Sequence, residues 1–354
     1  MQHKCPRKNI LLFVEIRVSF ACIRVKRQPK MHLYKLLLVL TLIFLFSCSP
    51  PERGRLIKVG VGHGPGHSQT LALQKFKTLM QERSDGRYRV QVYHSATLGD
   101  EKQMQELLTI GTAEITVTGV LNIYEPLFAL FEMPYLYRDR DHVFNVNSGT
   151  IMQEVAQSLI PNGLRLIGFY ENGYRNVTTS KRRIETPADL DGLMIRTPEN
   201  PAQIATFNTL GAIATPMPFS DLYTALLQGV VDGQENPLQQ IYLSRLYEVQ
   251  QYCALSHHIY NSAYVIISER FWNTLNAADQ QLIRDCILES ARWQLDYMKT
   301  LDSELEAKLK DEGMKFTYPD KSKFENACLP AYETIYARLG PQARHIVEQI
   351  RATP

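Results

Sequence analysis

Beyond Leu56 the chain alternates between a two-residue and a 3.6-residue rhythm of apolar positions, the periods of strand and helix. Leu56 to Val61 reads as a strand that enters the loop Gly62-His63-Gly64-Pro65-Gly66-His67. From Ser68 to Arg83, Leu71, Leu73, Phe76, Leu79 and Met80 give a helix an apolar face. Strand Tyr88 to Tyr93, helix Glu101 to Ile110 and strand Ile115 to Thr118 follow. A second round begins with strand Leu164 to Tyr170. It continues through strand Leu193 to Arg196, helices Pro201 to Leu210 and Ser220 to Gln228, strand Val230 to Gln234 and strand Tyr264 to Ser268. Ser220 is placed to cap its helix and Gly229 to end it. From Asn276, another capping residue, one helical pattern runs to about Glu312, with Leu301, Leu305 and Leu309 at four-residue steps. Strands alternating with helices predict an α/β protein. Chain crossings near Glu171 and Ser262 predict two lobes with a cleft between them, where small ligands bind.

The N-terminal pattern is different. Lys35 precedes the eleven-residue apolar run Leu36 to Phe46, too short to span a bilayer, which needs about 20 residues. A basic start, a short apolar stretch and Ser47 before Cys48 read as a cleaved signal peptide. Leu45-Phe46-Ser47-Cys48 resembles a bacterial lipobox, although Phe46 is bulkier than the usual residue, and a lipobox would make Cys48 the lipidated first residue of the mature chain. Residues 1–30 carry eight Lys/Arg, one Glu and no coherent export pattern, which points to translation from Met31. The expected organisation is a leader over 1–47, of which 1–30 stay untranslated, then a lipidated tether over 48–55.

Charge changes with the leader. The full chain has 39 Lys/Arg against 36 Asp/Glu, a balance of +3; residues 1–47 hold nine Lys/Arg and one Glu, so the remainder stands at −5. Nothing there suggests a nucleic-acid surface. The remaining 307 of 354 residues are ample for two lobes. Beyond Cys48 lie Cys253, Cys286 and Cys328, an odd number without metal-like spacing, which reads as buried free thiols.

Candidate chemistry concentrates between Glu171 and Pro237. Arg175 and Arg196 fall at the ends of predicted strands, where α/β folds place ligand groups, and two guanidinium forks suit one carboxylate. The alternative is a pair of surface arginines bridged to Glu171, Asp189 or Asp191. Asn236, fixed before Pro237, either donates to a ligand or closes an Asx turn. Within an aromatic group, Phe219 is the candidate stacking surface. The glycine loop from Gly60 fails the dinucleotide spacing at Pro65, and His63, His67, His257 and His258 lack partners at metal-ligand spacing. No nucleophile elbow, phosphate loop or zinc-protease helix occurs in the sequence. The expectation is therefore capture rather than catalysis, with no cofactor and no metal. The enzyme alternative would act on a bound acid through Glu171 or Glu235.

Several spaced motifs carry a family resemblance. They are Pro134-Tyr135-Leu136-Tyr137-Arg138-Asp139, Thr186-Pro187-Ala188-Asp189-Leu190, Pro216-Met217-Pro218-Phe219-Ser220, and Val231-Asp232-Gly233-Gln234-Glu235-Asn236-Pro237 with Tyr247-Glu248-Val249-Gln250. In these the chain resembles the solute receptors of tripartite ATP-independent periplasmic (TRAP) transporters, the DctP-type binding proteins, over nearly all of Leu56 to Ala352. The resemblance implies a two-lobed periplasmic-binding-protein fold with mixed sheets flanked by helices, a central ligand cleft and a long helix spanning both lobes. The boundaries expected are 56–171 and 262–301 for lobe I, and 172–261 and 302–354 for lobe II. It implies that Arg196 binds a carboxylate, that Arg175 is a second anion contact, and that Asn236 binds ligand; Glu101, His67 and Phe219 match positions that line the cleft. It further implies an organic-acid ligand and a membrane permease partner for an exported, lipid-anchored monomer. Glu171 to Arg175 and Arg196 to Pro201 look closer to the branch taking sugar acids such as uronates or keto-sugar acids. Gly119 and Glu199 depart from the sialic acid branch. A C4-dicarboxylate receptor, or a surface lipoprotein with an altered ligand, remains the alternative.

Overall fold

The computed structural model describes residues 54–354; the leader, Cys48 and most of the tether lie outside the described residues. One nine-stranded mixed sheet flanked by helices carries the fold, where the resemblance implied more than one sheet. Its strands are β1 (Arg55–Val61), β2 (Tyr88–Tyr93), β3 (Ile115–Thr118), β4 (Leu164–Thr179), β5 (Met194–Thr197), β6 (Ile213–Pro216), β7 (Gly233–Asn236), β8 (Tyr252–Ser268) and β9 (Lys315–Thr317). They run in the order β2-β1-β3-β8-β4-β7-β5-β6, with β9 beside β8. Parallel pairs β1–β2 and β1–β3 form one end, and parallel pairs β5–β6 and β5–β7 the other. The antiparallel ribbon β4–β8 joins them.

That ribbon is the main departure from the predicted elements. Strand β4 continues nine residues past Tyr170, and β8 starts at Tyr252 rather than Tyr264. The periodicity concealed both extensions because their middle residues, among them Asn172, Arg175, Ser256, His258 and Asn261, are polar yet buried. Register shifts fall between Leu166 and Gly168, Glu171 and Gly173, and Arg175 and Val177. Gly173 sits at the second with φ +113°, a left-handed conformation that side-chain-bearing residues rarely adopt. Glu171 and Ser262, the two predicted crossing points, face each other across the ribbon.

Helices cover the sheet: α1 (Ser68–Arg83), α2 (Glu101–Ile110), α3 (Arg140–Ser148), α4 (Thr150–Ala156), α5 (Pro201–Thr209), α6 (Leu222–Leu227), α7 (Leu238–Leu243), α8 (Glu269–Trp272), α9 (Ala277–Asp311), α10 (Lys321–Leu339) and α11 (Gln342–Ala352). As the sequence suggested, α9 is long, 35 residues or roughly 50 Å, and Asn276 caps it by accepting from the Asp279 backbone N–H. Its two halves serve different cores. Ile283, Cys286, Ile287 and Ala291 pack with the β1–β3 side, whereas Met298, Leu301, Leu305 and Leu309 pack with Leu222, Leu226 and Ile241. On α11, Ala343, Ile346 and Val347 pack with Phe128, Val146 and Leu159, residues expected in lobe I. The helix predicted from Ser220 begins at Leu222 instead. Phe219–Asp221 forms a 3-10 turn, and the Ser220 hydroxyl bonds Asp221 rather than capping. The strand predicted over Val230 to Gln234 is shifted to Gly233–Asn236.

Cys253, Cys286 and Cys328 are buried and free. Among the described residues no helix is long and apolar enough to cross a membrane.

Gly233 decides where β7 lies, because a Cβ there would collide with the Thr178 carbonyl oxygen and crowd Ile195. Gly233→Ala should lower the unfolding free energy by about 1–3 kcal/mol, read from the urea midpoint; an unchanged midpoint would show that β4 and β7 can separate freely.

Candidate functional site

A cavity of about 300 Å³ opens where β4, β5, β7 and β8 meet the N-terminal end of α2, at the lower limit for small-ligand sites. Arg175, Arg196, Asn236, Phe219 and Glu101 all line it. His67 does not. It is 2% exposed, caps α1 by accepting from the Gln69 backbone N–H, and stacks on His63 at 3.9 Å. His63 takes the lining position instead. Burial and the nearby Arg175 hold the His63 imidazole down to about 4, so it is neutral at physiological pH.

Arg175 lies inside β4, not at a strand end. Its Nε donates to Glu235 Oε2, and its Nη2 donates to Glu235 Oε1 at 2.8 Å, to the Glu235 carbonyl at 2.6 Å and to Asn236 Oδ1 at 3.1 Å. Neither Glu171 nor a loop aspartate is its partner; Glu171 pairs with Arg140 at 2.7 Å. His258 Nε2 lies 3.2 Å from Glu235 Oε2, and Ser256 Oγ lies 2.8 Å from His258 Nδ1. Burial favours a neutral Glu235, but Arg175 and His258 outweigh it and hold the carboxyl below its ordinary value. Both residues named for acid–base work are thus engaged in ion pairs. Strand β7 presents Glu235 and Asn236 next to Arg175 because Val177 pairs with Glu235 and Asn176 with Asn236.

Arg196 is held differently. From β5 its Nε and Nη2 donate to one acceptor, the Met217 carbonyl, at 3.0 and 2.6 Å. The guanidinium carbon stands 5.9 Å from the Phe219 ring centre. The residue is 2% exposed, and among the described residues no carboxylate lies within ion-pair distance of it. Burial, reinforced by Arg175, lowers its pKa to about 10, which leaves the cation charged at neutral pH without a matching anion. A buried cation in that condition is what an incoming carboxylate stabilises.

Around the arginines lies a set of amides that the sequence did not single out. Gln69 and Gln240 donate to Asn172 Oδ1, Asn172 donates to Asn261 Oδ1, and Asn261 donates to Glu132 Oε1 at 2.6 Å. Among the described residues, Oε1 of Gln105 and Gln203 is buried without a partner, and both residues line the cavity, as does Gln240, whose side chain also interacts with His67. Such acceptors suit hydroxyl donors. Glu132 could have been noticed as a lone acid inside the apolar run Leu127 to Met133. The amides carried no such signal, because isolated Gln and Asn read as surface. Glu101, first residue of α2, accepts from Thr118 Oγ1 and from Gly119 N–H at 2.8 Å through Oε2. Among the described residues no group of three or more His, Cys, Asp or Glu could hold a metal ion.

Glu235→Gln leaves Arg175 buried without its carboxylate and should destabilise the protein by about 3–5 kcal/mol in urea titrations. Because the native Glu235 pKa is lowered, the stabilisation is complete above about pH 4.5 and is lost as pH falls through the lowered value. An acid-unfolding profile identical in wild type and variant would contradict this.

The model of the bacterial extracellular solute-binding proteins, family 7, matches residues 59–339. The 2,3-diketo-L-gulonate-binding periplasmic protein of Escherichia coli K12 is 32% identical over 291 residues, covering 80% of this chain and 87% of its own. A periplasmic TRAP solute-binding protein of Roseobacter denitrificans, solved with bound L-galactonate, superposes with a TM-score of 0.78 at 32% identity, over 84% of this chain and 99% of that one. The sugar acid binding protein of Advenella mimigardefordensis in complex with galactonate gives 0.81 at 28% identity, over 85% and 99%. On this match of fold, length and sequence, the chain belongs to the family 7 bacterial extracellular solute-binding proteins, the DctP-type receptors of TRAP transporters.

Proposed function

We propose that this receptor captures a sugar acid between its two lobes and delivers it to the permease of its transporter. The observation that carries the reading is Arg196, a buried guanidinium without a carboxylate partner among the described residues, in a cavity that also offers unpartnered amide oxygens. The carboxylate would take Arg196, assisted by Asn236 and by Arg175, whose described hydrogen bonds use only Nε and Nη2. Hydroxyls would donate to Gln105 and Gln203. Phe219 would cover an apolar edge, and Glu101 would accept a hydroxyl. Two related receptors with bound galactonate and a diketogulonate-binding relative support the same class.

Closure follows from the ribbon. We place the hinge where Glu171 faces Ser262, beside the shift at Gly173, and the changeover on α9 between Ala291 and Met298, where its packing switches cores. An ion pair formed in the cavity strengthens as water leaves, so ligand favours the closed form that a permease would read. The leader supports export, with Cys48 as a lipid anchor and the receptor acting as a monomer.

Arg196→Ala should weaken binding of the preferred sugar acid by about 1.5–3 kcal/mol, roughly 10- to 150-fold, in calorimetry. Arg196→Lys should also bind poorly, since it keeps the charge but loses the fork. Wild-type affinity in Arg196→Ala would remove Arg196 from the site. Labelled palmitate should enter the expressed protein and be absent from Cys48→Ala; unlabelled wild type would point to ordinary signal cleavage.

A further inference from the structure

We propose that Glu132 makes the receptor discriminate, in alkaline solution, against dicarboxylates of the same carbon chain as its single-carboxylate solutes; the inference rests on the sugar-acid reading above. The charges in the cavity are the starting point. Arg175 is already matched by Glu235, so Arg196 is the remaining guanidinium for one anionic group. The same cavity is lined by Glu101 and Glu132, and also by Asp100 and by the exposed Lys102 and Glu199. Beside the buried Glu132, a second carboxylate would therefore meet an acid.

Glu132 is built into this position. It ends the 3-10 helix Pro126–Glu132 and is 2% exposed. Its Oε2 accepts from Asn200 Nδ2 at 2.9 Å and Gln203 Nε2 at 2.6 Å, and its Oε1 from Asn261 Nδ2 at 2.6 Å. Three amide N–H groups aimed at one carboxyl favour the ionised form, yet among the described residues no cation pairs with it. The charged groups that face it are Arg175 on β4, Glu235 on β7 and Glu101 on α2. Tyr137 and Tyr264 also lie near, and burial keeps both phenols neutral. Burial outweighs Arg175 and raises the Glu132 carboxyl to about 8. Below that pH the group is neutral and tolerates a nearby anion; above it, a second ligand carboxylate, ionised throughout, is repelled. At about 6 Å and an effective dielectric of ~20, that repulsion corresponds to roughly a hundredfold in affinity. His63, held to about 4, does not titrate in this window.

The test is calorimetry on the purified receptor with matched probes, D-galactonate against galactarate and D-gluconate against D-glucarate, at pH 6 and pH 9. The ratio of aldarate Kd to aldonate Kd should be about a hundred or more at pH 9 and at least tenfold smaller at pH 6. Glu132→Gln should lower the ratio at pH 9 and flatten its pH profile. Gln203, whose Oε1 has no partner among the described residues, can turn its amide to accept from the new side chain. The wild-type pH profile is independent of how well that variant folds. A ratio within threefold at pH 9, or one that Glu132→Gln leaves unchanged, overturns the proposal alone. Absence of binding by every probe overturns the sugar-acid reading and this inference with it.

Discussion

The antiparallel pairing of β4 with β8 is the constraint on which the molecule depends. It runs from Leu164 opposite Ser268 to Thr179 opposite Tyr252, and it is the one ribbon that reaches both parallel halves of the sheet. At the β3 end its side chains are apolar and join the core with Ile115 and Val117; toward the middle they turn polar and face the cavity. Three register shifts allow this change of partner environment without breaking the ladder. Backbone hydrogen bonds thus hold Asn172, Arg175, His258 and Asn261 in place where packing of apolar side chains could not.

From that ribbon follows the treatment of buried charge. An ionised group removed from water is costly unless paired or well hydrogen-bonded. Arg175 meets the requirement through Glu235, which the β4–β7 register sets beside it. Glu171 meets it through Arg140, itself paired to Asp302 on α9. Among the described residues, Arg196 has a backbone carbonyl and an aromatic neighbour but no carboxylate at ion-pair distance. The difference separates structural from receptive cations: two residues of one type, both 2% exposed, stand in different electrostatic conditions. A receptor needs a site that is better satisfied with its ligand than without it, and Arg196 supplies the unsatisfied half of such a pair.

The amide network adds shape to that charge. Gln240, Asn172, Asn261 and Glu132 are linked donor to acceptor, and Asn200, the N-cap of α5, and Gln203 within α5 reach Glu132. Groups from elements distant in sequence are thereby held in fixed orientation before any solute arrives. Pre-organisation of this kind reduces the ordering that binding would otherwise require.

Local pattern determined much about this protein by itself. The α1 and α2 boundaries, the first three strands, the capped start of α9 and its length followed from periodicity and capping chemistry, because each depends on neighbours within one or two turns. The family was legible in spaced motifs, and five of the six named site residues line one cavity. Tertiary structure decided the rest. Buried polar residues break the apolar alternation, so the full reach of β4 and β8 was invisible until each strand had a partner. His67 went to a helix cap and stack, while Glu132 and the glutamines came to line the cavity and Glu235 to pair with Arg175, because side-chain partners are set by strand register and helix packing. Which arginine carries an unmatched charge was likewise undecidable from the chain, since charge pairing is a property of distances that only the folded molecule defines.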